Sequence, residues 1–127
     1  MIAMNDNNQA PFRGIHEECG VFGVYGVKNA AEITYYGLHS LQHRGQEGCG
    51  IVAVNDEGQL RRVKGQGLVT EVFNNDNLSN LKGSMAMGHV RYSTTGGGGI
   101  ENVQPFLLRH NSGDFAVAHN GNLVNSV

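Results

Sequence analysis

The chain has 127 residues with 9 basic and 11 acidic side chains, a formal net charge of -2 and a hydrophobic fraction of 39%. That length sets one domain or part of a larger one, and the composition excludes intrinsic disorder, collagen and coiled coil as readings of the whole. The charge balance leaves no nucleic-acid footprint, no apolar run approaches the roughly 18 residues of a membrane span, and the N-terminus is no secretory signal, so a soluble cytoplasmic protein is expected.

Met1 to Glu18 is polar and turn-prone, with Asn5, Asp6, Asn7, Asn8, Gln9 and Pro11, and reads as a leader that buries no apolar surface. At Cys19 the pattern changes to Cys-Gly-Val-Phe-Gly-Val-Tyr, a glycine-punctuated strand. Asn29 can cap a helix over Ala30 to Gln42, with Ala31, Tyr35, Leu38 and Leu41 at helical spacing and Gly45 as its stop. Gly50 to Asn55 and Gln59 to Lys64 form a hairpin turned by Asp56-Glu57-Gly58. Leu68 to Leu81 reads as short helical turns interrupted at Asn74 to Asn77, and Ser84 to Tyr92 as a strand. The Gly96 to Gly99 run is a loop able to fold over a ligand, lacking the Gly-Lys-Ser/Thr ending of a phosphate loop. Phe106 to Arg109 and Asp114 to His119 form a second hairpin across Asn111-Ser112-Gly113, and Leu123-Val124 open a further element. About five strands and one helix give an α+β pattern. The 19 glycines, about twice ordinary usage, imply tight turns and close backbone approaches.

Two cysteines, Cys19 and Cys49, are too far apart for a CxxC pair, and without an export signal they are reduced thiols. Cys49 reads as a small buried apolar residue. Cys19 has the same plain reading, but removal of the leader would make it N-terminal. Its α-amine, with a reference pKa near 7.7–8.0, would then serve as the base for its own thiol. His39 and His43 share a helical face without a third ligand at useful spacing, which argues against a metal site. His89 and His119, near strand ends, read as hydrogen-bonded structural residues. Arg91 and Arg44 are each either a surface ion-pair partner or a two-pronged carboxylate clamp. Asn120-Gly121 is either a hairpin turn or an oxyanion hole built from an amide side chain and a backbone N–H.

Cys19-Gly-Val-Phe-Gly, Leu41-Gln-His-Arg-Gly-Gln, Gly88-His-Val-Arg-Tyr-Ser-Thr, Gln104-Pro-Phe and His119-Asn-Gly-Asn-Leu-Val occur in that order. From Cys19 to Val127 the chain closely resembles the N-terminal glutaminase domain of the amidophosphoribosyltransferase family, whose members are N-terminal-nucleophile hydrolases. The resemblance implies an αββα sandwich of antiparallel sheets, truncated here because the chain ends before the family's ammonium-binding aspartate. It implies that residues 1–18 are a propeptide, that 19–127 are the first part of a type 2 glutamine amidotransferase domain, and that the phosphoribosyltransferase domain is absent.

By the same resemblance Cys19 is the nucleophile, Asn120 and Gly121 form the oxyanion hole, and Arg91 binds the glutamine α-carboxylate with Thr94 lining the pocket. Arg44 supports the site beside the nucleophile. The implied partners are L-glutamine and, through the missing domain, phosphoribosyl pyrophosphate, in a homo-oligomer when full length. The implied cofactors are magnesium and, in some relatives, a 4Fe-4S cluster, none of them in this segment. The implied function is release of ammonia from glutamine to make 5-phosphoribosylamine, the first step of purine synthesis. Two alternatives are a catalytically inactive fragment and the glutaminase of glucosamine-6-phosphate synthase, which would show Arg-Trp-Ala-Thr-His where this chain has Arg91-Tyr-Ser-Thr-Thr95.

Overall fold

A computed structural model describes residues 19–42, 46–92 and 99–120. Strand β1 (Gly20–Tyr25) leads into helix α1 (Ala30–Leu41), then strands β2 (Gln46–Val54) and β3 (Leu60–Gln66). Two short helices, α2 (Val69–Val72) and α3 (Asn75–Ser79), precede strand β4 (Met85–Tyr92). A 3₁₀ turn over Ile100–Asn102 then leads to β5 (Phe106–Leu108) and β6 (Phe115–Val117).

The first four strands form one antiparallel sheet in the order β1-β4-β2-β3, and β5 and β6 form a separate antiparallel pair. The expected α+β class with antiparallel sheets is therefore met. Three layers stand among the described residues: helices, the four-stranded sheet, and the segment carrying β5 and β6.

Alternation along β4 sorts the two faces of the sheet. Gly88 faces the helical layer, where a Cβ would lie 2.7 Å from Leu38 Cδ1 and 2.8 Å from Thr34 Cγ2. Bare backbone at Gly88 thus lets α1 settle onto the sheet. Reciprocally, a Cβ on Gly37 of α1 would lie 2.5 Å from the Phe22 ring. Ala30, Ala31, Leu38, Cys49, Ile51, Val69, Phe73 and Val90 build the core between these layers. The opposite face, with His89 and Arg91, is covered by residues 103–105: a Cβ on Gly48 would meet Val103 at 2.8 Å, and one on Gly50 would meet Pro105 Cδ at 3.0 Å. Lys64 Nζ donates to Val103 O at 3.1 Å and Arg62 Nη1 to Pro105 O at 3.2 Å, so β3 ties down that covering segment. The β5–β6 pair turns Phe106, Leu108, Phe115 and Val117 outward, each at least a third exposed.

Several boundaries differ from expectation. Strand β2 begins at Gln46 rather than Gly50, because Gln46 and Gly48 already pair with Tyr92 and Arg91 across an irregularity in register. Asn29 occupies the cap position without capping through its side chain: it sits at φ 59, ψ 44, a left-handed conformation that asparagine tolerates better than most residues. The break between the short helices is Phe73-Asn74, not Asn74 to Asn77. Those two asparagines instead cap α3 reciprocally, Asn77 N–H to Asn74 Oδ1 and Asn74 N–H to Asn77 Oδ1, both at 2.9 Å. The expected helix stop Gly45 and most of the glycine run lie outside the described residues.

Replacing Gly88 by alanine should overpack the α1–sheet contact and cost about 1–3 kcal/mol of stability, read as a lowered denaturant midpoint at unchanged m-value.

Candidate active site

Cys19 extends β1 by one residue beyond its first ladder pair, Gly20 with Val90, so continuing the register sets it opposite Arg91. Its half-buried sulfur accepts the Tyr92 N–H at 3.4 Å, and its thiol lies 3.7 Å from Tyr92 O. A residue 73 positions away in sequence therefore holds the thiol at the end of β4. The last turn of α1 closes on the same spot: a Cβ on Gly20 would meet Leu41 at 3.1 Å.

Cys49, opposite Val90 in β2, has a different environment. It is fully buried beneath the helices, and burial pushes its thiol up to about 12, with Glu71 adding to the effect and the Gln46 side chain opposing it. That thiol stays protonated at neutral pH and serves as the small apolar residue expected of it.

Arg91 is half-buried on the face away from the helices, and the one ion pair among the described residues is Arg109–Asp114. Two residues along β4 on the same face, about 7 Å away at strand rise, His89 is fully buried. Its Nε2 lies 3.1 Å from His119 O, and a carbonyl can only accept, so Nε2 carries the ring proton. Burial first, with Arg91 and His119 as lesser electrostatic contributions, depresses His89 to about 4, against a partly offsetting hydrogen bond to His119. The ring is neutral at physiological pH. Nδ1 has no hydrogen-bond partner among the described residues.

The His119 N–H is held in turn by Gln104 Oε1 at 2.7 Å. His119 thus has both backbone polar groups fixed by buried side chains, and the next residue is Asn120, which is exposed. Sequence reasoning noted Gln104 only within a motif. A glutamine beside a proline in a segment flanked by apolar residues is the available sign of a buried, hydrogen-bonded amide.

Of the six expected site residues, Cys19 and Arg91 are brought together at the β1–β4 seam, and Asn120 follows the tethered His119. Arg44, Thr94 and Gly121 lie outside the described residues. So does His43, and its companion His39 is exposed on α1. Among the described residues no group of three or more His, Cys, Asp or Glu could hold a metal ion. No described helix is long and apolar enough to cross a membrane.

The structure thus sets a thiol at a strand end against the Tyr92 backbone, and holds the His119 backbone just before Asn120. Residues 39–127 match the family model of the class-II glutamine amidotransferases, and the chain belongs to that family. Among curated proteins it is 64% identical over 118 residues to the amidophosphoribosyltransferase of Bacillus subtilis (strain 168), covering 92% of this chain and 25% of that protein. It is 58% identical to the amidophosphoribosyltransferase of Lacticaseibacillus casei, covering 91% of this chain and 59% of the relative. The structure resembles that of the glutamine phosphoribosylpyrophosphate amidotransferase from B. subtilis complexed with ADP and GMP, at a TM-score of 0.73 and 62% identity, covering 83% of this chain and 22% of that one. The chain therefore spans only about a quarter of the B. subtilis relative's length.

Neutral His89 has a consequence for acid stability. The unfolded chain takes up a proton near 6.5 and the folded one only near 4, so His89's contribution is intact above about 6.5 and drains as pH falls toward 4. Between pH 7 and pH 5 the native protein should lose about 2 kcal/mol more than a His89→Gln variant, as read by denaturant unfolding at the two pH values.

Proposed function

We propose that this chain is the glutaminase part of an amidophosphoribosyltransferase. It releases ammonia from L-glutamine, and the remainder of the protein uses that ammonia to convert phosphoribosyl pyrophosphate into 5-phosphoribosylamine, opening purine synthesis in the cytoplasm. The observation that carries this reading is Cys19 Sγ against the Tyr92 backbone, opposite Arg91. The order of motifs and the 64% identity to the B. subtilis relative support it.

Residues 1–18 act as a propeptide whose removal frees the Cys19 α-amine. That amine takes the thiol proton, and the sulfur attacks the side-chain amide carbon of glutamine. The resulting oxyanion is stabilised by the Asn120 side-chain amide and the Gly121 N–H. As the intermediate collapses, the amine returns the proton to the leaving nitrogen and ammonia departs. Water activated by the same amine then hydrolyses the thioester to glutamate. Arg91 grips the substrate α-carboxylate through two parallel hydrogen bonds, with Thr94 lining that pocket and Arg44 supporting the nucleophile. Magnesium and any iron–sulfur cluster belong to the rest of the protein, as do the contacts that make it an oligomer.

In the full-length enzyme Cys19→Ala should abolish ammonia release from glutamine while free ammonia still supports phosphoribosylamine formation; glutamine hydrolysis by this variant would overturn the assignment. Arg91→Lys should raise the glutamine KM about tenfold, the loss of roughly one charge-assisted hydrogen bond. An unchanged KM would remove Arg91 from substrate binding.

A further inference from the structure

We infer that Gln104 and His89 are positioning residues that set the Asn120 oxyanion donor by clamping the His119 backbone from both sides. The inference rests on the reading of Asn120 and Gly121 given above. Gln104 Oε1 accepts the His119 N–H at 2.7 Å, and His89 Nε2–H donates to His119 O at 3.1 Å. Both side chains are buried, His89 fully and Gln104 at 8% exposure, whereas Asn120 and the neighbouring Val117 are exposed. The exposed asparagine thus owes its position to buried anchors one residue earlier.

Each anchor is itself fixed to the four-stranded sheet. His89 is a member of β4, paired with Val21 of β1 and Gly50 of β2. Gln104 lies between Val103 and Pro105, whose carbonyls are held by Lys64 and Arg62, and its own carbonyl lies over the bare backbone of Gly50. The clamp therefore references the Asn120 donor to the strand that also carries Arg91 and meets Cys19 Sγ. An oxyanion donor acts on the charge that develops in the transition state, and displacement by about 1 Å can cost up to a hundredfold in rate. Loss of the clamp should lower turnover with little effect on ground-state glutamine binding, which Arg91 governs.

The test is steady-state glutamine hydrolysis by the full-length enzyme carrying Gln104→Leu, which removes the acceptor, beside Gln104→Glu, which keeps an acceptor oxygen. Alkylation of Cys19 by iodoacetamide is followed in parallel. The clamp predicts that Gln104→Leu lowers kcat about tenfold to a hundredfold, holds the glutamine KM within about threefold, leaves alkylation unchanged, and is largely rescued by Gln104→Glu. Unchanged kcat in Gln104→Leu, or a fall accompanied by lost alkylation and no rescue, would overturn it. Should Gln104→Leu fail to fold, His89→Leu against His89→Gln, whose amide restores a donor, puts the same question to the other anchor. Cys19→Ala separates the two readings: hydrolysis by that variant defeats the proposed function itself. An inert Cys19→Ala beside a fully active Gln104→Leu defeats only the clamp.

Discussion

The antiparallel register of β1 against β4 is the constraint on which the rest depends. Gly20 opposite Val90 and Val21 opposite His89 set Cys19 across from Arg91. A slip of one residue would turn every β1 side chain to the other face, moving Phe22 off Gly37 and Cys19 away from its seat. The register is held by packing as well as by the ladder. Gly37 leaves room for the Phe22 ring, Gly88 admits Leu38 and Thr34, and Gly20 admits Leu41. Added side chains at these glycines would force α1 and the sheet apart, and the thiol would lose its fixed relation to β4.

The two faces of the sheet divide the work. The helical face is apolar, and the cysteine it encloses, Cys49, is kept protonated by burial. The other face carries His89 and Arg91 and meets a segment whose carbonyls are tied by Lys64 and Arg62. Burial there lowers the Lys64 pKa, with neighbouring Arg62 acting in the same direction and Glu101 opposing it. His89, Gln104, Lys64 and Arg62 bond to backbone rather than to one another, which fixes the covering segment without adding buried charge pairs.

The elements with a strong local signature were legible in the sequence. The α1 spacing of Ala31, Tyr35, Leu38 and Leu41, the Asp56-Glu57-Gly58 turn and the alternation through β4 all correspond to observed elements. Four early residues of β2 were missed because Gln46, Glu47 and two small residues lack strand character alone; pairing with Tyr92 and Arg91 recruits them. The role of Asn74 and Asn77 was misplaced because the same residues that break a helix also cap the next one. For the site, the motifs pointed to Cys19, Arg91 and Asn120, and equally to Arg44, Thr94 and Gly121, which lie outside the described residues. Nothing local could show that Gln104 and His89 converge on the backbone of one residue, His119, from positions 15 and 30 residues away.

In the proposed function the sulfur of Cys19 works only with its own free amine as proton acceptor. The most direct measurement follows glutamine hydrolysis by the full-length protein alongside its intact mass as Met1–Glu18 is removed. Activity should rise in proportion to the fraction of chains beginning at Cys19 and be absent from unprocessed chains. Full hydrolysis by chains that retain the leader would contradict the account.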